Sequence, residues 1–244
     1  MPEMISNPQF WISLLQIIGI DIVLSGDNAV VIALASRSLP PAEQKKAIFL
    51  GCAGAITLRV ILTFFAVFLL NFPYLKLVGS ILLIWIGIKL LLPEDEGYTD
   101  RPPNENLIAA IKTIIMADFV MSLDNVIGIA AAAKGNMVLL TLGLLISIPL
   151  IIYSSTLILR LMQRFPVIIV LGGALLGYVA GEMAVTDPII ASQVKAYMAS
   201  LHYIAPLVGA FLVVLIGKFL ARRPRPQVLV DLASADKPLE RSKE

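Results

Sequence analysis

Apolar residues along this chain fall in long blocks rather than in the alternating pattern of strands or the one-faced stripe of surface helices. Seven blocks stand out, near 10–35, 47–70, 74–92, 107–133, 137–160, 166–184 and 202–221. Each approaches or exceeds the ~20 residues that a helix needs to cross a ~30 Å hydrocarbon core. Pro40-Pro41, the acidic segment from Glu94 to Asp100 and Pro102-Pro103 punctuate the blocks, and Phe72-Pro73 and Phe165-Pro166 mark two tight turns. After Arg222 the chain turns to proline and charge, the composition of a disordered tail. The pattern predicts an all-α, polytopic membrane protein with about seven transmembrane helices. Composition agrees: 58% of residues are hydrophobic and only 15% charged, against about 25% charged in a soluble domain. Residues 1–9 carry Glu3 and no Lys or Arg, and the first block holds Asp21 and Asp27. That block is therefore expected to stay as a helix rather than serve as a cleaved signal.

Polar positions inside the blocks repeat. Asp21-Ile-Val-Leu-Ser25-Gly-Asp27-Asn28 returns as Asp118-Phe-Val-Met-Ser122-Leu-Asp124-Asn125, shifted by 97 residues. Ile32-Ala33 matches Ile129-Ala130 at the same shift. At a shift of 93, Phe72-Pro73 maps onto Phe165-Pro166, Gly79 onto Gly172, Trp85 onto Tyr178 and Lys89 onto Glu182. Residues 1–92 thus read as a first three-helix repeat, 93–106 as a cytoplasmic loop and 107–184 as a second repeat. A seventh helix, 202–221, and a cytoplasmic tail, 222–244, follow. Three spans per repeat is odd, so the second copy enters the membrane inverted.

Charge gives the same handedness. With the N-terminus outside, the inner loops and tail hold Arg37, Lys45, Lys46, Lys89, Arg101, Arg160, Arg164, Lys218, Arg222, Arg223 and Arg225. The outer loops hold Lys76, Lys134 and Lys195. Cytoplasmic loops carry the Lys and Arg excess, so eleven against three implies N-terminus out and C-terminus in. Inverted repeats place equivalent residues around a shared midplane, where transporters bind substrate.

An Asp at the bilayer centre costs about 2.5–3.5 kcal/mol on insertion scales. Four are present: Asp21, Asp27, Asp118 and Asp124. At 100° per residue, Asp21, Ser25 and Asn28 share one helix stripe, and Asp118, Ser122 and Asn125 share its equal. Asp27 and Asp124 stand about 120° away on an ideal helix. They face another partner, or the helix opens there, as Gly26 permits; its counterpart Leu123 makes the case for opening weaker in the fourth block. Two such stripes meeting would gather hard oxygen donors with negative charge, suited to Mg²⁺, Ca²⁺ or Mn²⁺ and not to thiolate-preferring metals. Clustered carboxylates also raise one another's proton affinity, so exchange of a divalent cation for protons follows. Ser25 and Ser122 serve equally well as structural hydrogen-bonding groups. Arg59, inside the second block, either neutralises one of these acids when the site is empty or forms a structural ion pair. Glu182 falls at the outer end of the sixth block, as an interfacial residue or part of a pathway mouth. Met121 reads as packing before a soft thioether ligand that would favour Mn²⁺ over Ca²⁺, Asp187 as a loop residue, His202 as interfacial, and Gly173, Gly177 and Gly181 as a ridge for close helix contact. With one cysteine, Cys52, and one histidine, clustered thiolate or imidazole metal sites are excluded.

The doubled motif, Asp21 to Asn28 and Asp118 to Asn125, resembles that of the TerC family of integral membrane proteins over roughly residues 10–220. The resemblance implies manganese efflux, more loosely tellurite resistance, a bacterial inner (plasma) membrane, and kinship with LysE-type exporters, which share an inverted three-helix repeat. It implies that Asp21, Asp27, Asn28, Asp118, Asp124 and Asn125 are the metal-handling positions. The expected activity is secondary export of Mn²⁺ or a related divalent cation, with protons as counter-ion, no resident cofactor and no nucleic-acid partner. No Walker motif, nucleophile elbow or HExxH is present, so no enzyme is expected. The alternatives are an amino-acid or small-solute exporter, which the excess of core acids over cations disfavours, and a membrane factor assisting metalation or assembly of exported proteins. An intramembrane aspartyl protease would need a GxGD motif that is missing around Gly26-Asp27.

Overall fold

The computed structural model describes residues 8–65, 68–69, 72–92, 103–133, 136–197 and 200–222. Among them all regular structure is helical: α1 (Pro8–Leu24), α2 (Gly26–Ser36), α3 (Pro41–Phe64), α4 (Leu75–Leu91), α5 (Pro103–Ala133), α6 (Met137–Arg164), α7 (Val167–Val185), α8 (Pro188–Tyr197) and α9 (Leu201–Ala221). Arg101, Lys134, Arg223 and Arg225, most of the 93–106 loop and the tail beyond Arg222 lie outside the described residues.

Helix starts follow from local chemistry. Pro41 opens α3 at a position where its missing N–H costs nothing, six residues before the expected start. Pro103 does the same for α5, shortening the expected loop. The Asn136 side chain accepts from Leu139 N at 3.1 Å and caps α6. The first block is not one straight helix: α1 and α2 meet at Ser25 with a 48° bend. The second copy of the motif runs unbroken through α5, the asymmetry that Gly26 against Leu123 led one to expect. α8 was not expected, although Asp187-Pro188 is a helix-opening dipeptide.

Five helices (α3, α5, α6, α7 and α9) are long and apolar enough to cross a membrane, and α1 with α2 counts as a sixth span if the bent pair is one. α4 has 17 residues, at the short limit for a span. On length and composition, five or six of the seven expected spans are therefore met. Large apolar side chains face outward, as with Leu207, Phe211, Leu215 and Phe219 along α9, where lipid is the solvent.

The helices pack in a definite set of pairs. α3 lies on α5; α1 and α2 lie on α6; α4 lies on α7; α9 covers α7 and α4. Arg37, after α2, donates to Leu92 O at 3.1 Å and ties the C-terminal ends of α2 and α4 together. At the other end Asp187 is fully buried. It accepts from Tyr74 N and Leu77 N, both at 3.3 Å, and from Ile189 N at 3.0 Å. This carboxylate caps α4 and α8 at once, a larger role than that of a plain loop residue.

Close approach is set by glycine. A Cβ at Gly177 would overlap the Gly209 carbonyl, and one at Gly181 the Ala205 carbonyl, so the α7–α9 contact is backbone on backbone. Gly173 instead faces Leu91. Gly177→Val is expected to force α9 away from α7 and cost about 1–3 kcal/mol, the range for overpacking. Thermal unfolding in detergent should show a lowered midpoint for Gly177→Val. Gly19→Val, whose Cβ meets nothing within 4 Å, should leave the midpoint near wild type.

Candidate functional site

Two buried stripes run along α1 and α5 at four-residue spacing. On α1 and the bend that ends it they are Ser13, Ile17, Asp21 and Ser25, and on α5 Ala110, Ile114, Asp118 and Ser122. Each α5 position is its α1 counterpart plus 97. Asp118 has fifteen residues of α5 on either side of it, so it stands at the middle of that helix.

A third stripe, on α3, reads Ala47, Gly51, Ala55, Arg59 and Thr63, all buried. Small residues on this face of α3 let α5 come close: a Cβ at Gly51 would stand 2.7 Å from Ile114 Cδ1, and one at Gly54, beside the stripe, 2.6 Å from Ile115 Cδ1. Ala47 packs with Ala110, Gly51 with Ile114 and Arg59 with Asp118. α3 and α5 therefore run parallel, and their close contact delivers the Arg59 side chain to the motif.

Arg59 is 1% exposed and holds both copies of the motif. Its Nη1 pairs with Asp21 Oδ1 and its Nη2 with Asp118 Oδ1. Nη1 also donates to Ser25 Oγ at 3.0 Å, and Nε to Ser122 Oγ at 3.0 Å. Ser25 Oγ donates onward to Asp21 Oδ1 at 3.3 Å, and Ser122 Oγ to Asp118 Oδ2 at 3.1 Å. Both serines thus act as hydrogen-bonding links, and Arg59 neutralises not one acid but shares itself between two. The planar fork of guanidinium donors suits this better than an ammonium would. Thr63 Oγ1 donates to Arg59 O at 2.7 Å on the same helix.

The cluster leaves buried polar atoms unused. Among the described residues Asp21 Oδ2 has no hydrogen-bond partner, and neither do Asn28 Oδ1 and Nδ2. Asp21 is fully buried and Asn28 is 3% exposed. Buried polar atoms are normally satisfied, so three orphans on one copy of the motif are a local anomaly. Asp27, half-buried past the bend, accepts from Asn28 N at 2.8 Å and lies within electrostatic reach of Arg59 and Asp118.

The remaining expected positions lie on α5 and α7. Asn125 is half-buried on α5. The Asp124 side chain lies outside what the structure describes. Glu182 is exposed in the last turn of α7 and makes none of the cluster's contacts. Met121 packs in an apolar cluster with Val31, Leu83 and Met183. Among the described residues no three Cys, His, Asp or Glu side chains form a group able to hold a metal ion; the guanidinium stands between the two acids that would begin one.

Sequence reasoning missed the third stripe and its echo. At a shift of 92, Ala47, Gly51, Ala55, Arg59 and Thr63 of α3 map onto Leu139, Gly143, Ser147, Ile151 and Ser155 of α6, all buried. Thr63 bonds the carbonyl four residues back, and Ser155 does so to Ile151 at 2.7 Å. A Cβ at Gly143 would strike Ile17, the counterpart of Ile114. The signal was readable in the paired Gly51 and Gly143. At the charged position itself the copies differ: Arg59 faces the site, and Ile151 is its equivalent.

These features define an integral membrane protein of several spans with a buried acid–arginine–acid centre between two matching helices. The chain belongs to the integral membrane protein TerC family, which it matches over residues 6–225. It is 46% identical over 178 residues to the uncharacterized membrane protein YjbE of Bacillus subtilis (strain 168), covering 73% of this chain and 81% of that one. It is 26% identical over 181 residues to the UPF0053 inner membrane protein YgdQ of Escherichia coli (strain K12), covering 66% and 75% respectively. No solved structure matches it.

The ion-pair geometry sets a stability order. Asp21→Asn and Asp118→Asn each leave Arg59 one carboxylate, and both variants should fold. The double variant strands a buried guanidinium, a loss of roughly 3–5 kcal/mol when a buried pair is broken. Its yield in the membrane and unfolding midpoint should collapse, and adding Arg59→Met should recover them. Equal yields for all four variants would show that the pairs carry no stability.

Proposed function

We propose that this protein is a secondary transporter exporting Mn²⁺ or a related divalent cation from the cytoplasm, through a midplane site built on Asp21, Asn28 and Asp118 with Asp27 beside them. The observation that carries this proposal is the set of unpartnered buried atoms, Asp21 Oδ2 and the Asn28 amide, next to a pair of buried carboxylates. Hard oxygen donors of this kind match Mn²⁺, Mg²⁺ or Ca²⁺ chemistry; the choice of manganese comes from the family resemblance. Asp124 and Asn125 are the corresponding donors of the second copy. Protons are the proposed counter-ion, because ligating carboxylates must be deprotonated to take metal. The protein is not proposed to be an enzyme.

The proposed architecture is two inverted three-helix repeats plus α9, N-terminus out and C-terminus in, in a bacterial inner membrane. Helix packing supports it: exchanging the two repeats turns the α3–α5 pair into the α6–α1 pair and leaves the α4–α7 pair on the axis. The parallel run of α3 and α5 supports it too, since both would travel from inside to outside. The Arg37–Leu92 contact would join two cytoplasmic ends, and the Asp187 cap two outer ones.

Asp21→Asn and Asp118→Asn are each expected to lower Mn²⁺ efflux from loaded cells or proteoliposomes at least ~tenfold, the scale of one lost charge-assisted contact. Wild-type flux in both folded variants would remove the carboxylates from the pathway. For topology, a reporter active only in the cytoplasm, fused after Arg222, should be active. An active periplasmic reporter at the same position would reverse the orientation.

A further inference from the structure

The pseudo-symmetry of the site is broken at one position. α1 and α5 supply matching Asp and Ser, and α3 and α6 supply matching small residues and hydroxyls, but Arg59 has Ile151 as its counterpart. One guanidinium lies between the two carboxylates that a divalent cation would also use. It bonds both hydroxyls beside them, while the next oxygen donors, on Asp21 and Asn28, stay unpaired.

We propose that Arg59 is a tethered counter-cation: it occupies the charge position of the substrate in the empty carrier and is displaced when a divalent cation binds. This rests on the site being a cation site, as proposed above. Two carboxylates bared in low dielectric carry a large desolvation cost, so an empty site without its own cation cannot readily turn between the two faces of the membrane. With Arg59 seated, the empty site carries one net negative charge. With the guanidinium moved aside and a divalent ion bound, the same two acids are neutralised. The empty carrier can then return without loading both motif acids with protons. The swing needs one long side chain to leave four hydrogen-bonding partners, and it comes from one repeat only.

A tethered competitor lowers apparent affinity by the fraction of time it holds the site, so Arg59→Gln should bind Mn²⁺ about tenfold more tightly than wild type. Net efflux by Arg59→Gln should fall to near background, while exchange of internal Mn²⁺ for external labelled Mn²⁺ should persist, because the loaded carrier still turns. Arg59→Lys keeps a charge but not the two-pronged grip, and should bind Mn²⁺ with intermediate affinity and retain net efflux; it stands in if Arg59→Gln does not fold. Unchanged or weaker Mn²⁺ binding in the folded Arg59 variants, or full net efflux in Arg59→Gln, overturns the inference and leaves the cation site standing. Failure of wild type to bind Mn²⁺, Mg²⁺ or Ca²⁺ overturns the cation site, and the inference with it.

Discussion

A guanidinium buried between two carboxylates is the constraint on which the rest of this structure depends. Charges inside the hydrocarbon layer are tolerated only when paired, because desolvation outweighs any single favourable contact. Asp21 and Asp118 come from the two copies of the motif, and Arg59 from a third helix. Holding the three together requires α1, α3 and α5 to meet at one depth. The ion pairs therefore act on the whole arrangement: they fix the register of the helices whose apolar faces, in lipid, have little reason to prefer one register over another.

Packing supplies the approach that the charges need. Gly51 and Gly54 let α5 lie against α3, and Gly143 lets α1 lie against α6. On the far side Gly177, Gly181 and Gly209 bring α9 onto α7 backbone to backbone. The bend at Ser25 then separates Asp27 and Asn28 from the straight stripe of α1, whereas Ser122, Leu123 and Asp124 continue one helix. The two copies of the motif thus begin alike at their first Asp and Ser and diverge after them. The unpartnered Asp21 and Asn28 atoms lie on the bent copy, and on the unbroken copy both Asp118 oxygens are engaged.

Much of this was legible in the chain because lipid imposes a simple code. Long apolar blocks located the helices, and doubled polar residues inside them marked Asp21, Ser25, Asp118 and Ser122 as equivalent. The Gly173–Gly181 ridge announced a close contact, although Gly173 meets Leu91 rather than α9. What was not legible depends on distances between helices far apart in the chain. Arg59 showed as a buried cation, but a single sequence does not tell whether it meets one acid or both. The α3 and α6 stripes escaped notice because their matching positions are mostly small or apolar, the residue types that repeat by chance in membrane spans. Asp187 read as a loop residue because a carboxylate capping the distant α4 leaves no local trace beyond the Pro that follows it.

The central claim is that Asp21 and Asp118 are shared between Arg59 and a divalent substrate. Locating bound Mn²⁺ by its anomalous scattering in crystals of the whole protein tests it most directly. The account requires one Mn²⁺ within ligand distance, about 2.0–2.5 Å for hard oxygen donors, of carboxylate oxygens from both Asp21 and Asp118, with the Arg59 guanidinium no longer between them. Mn²⁺ bound only elsewhere, with both Arg59 ion pairs intact at saturating metal, would contradict it.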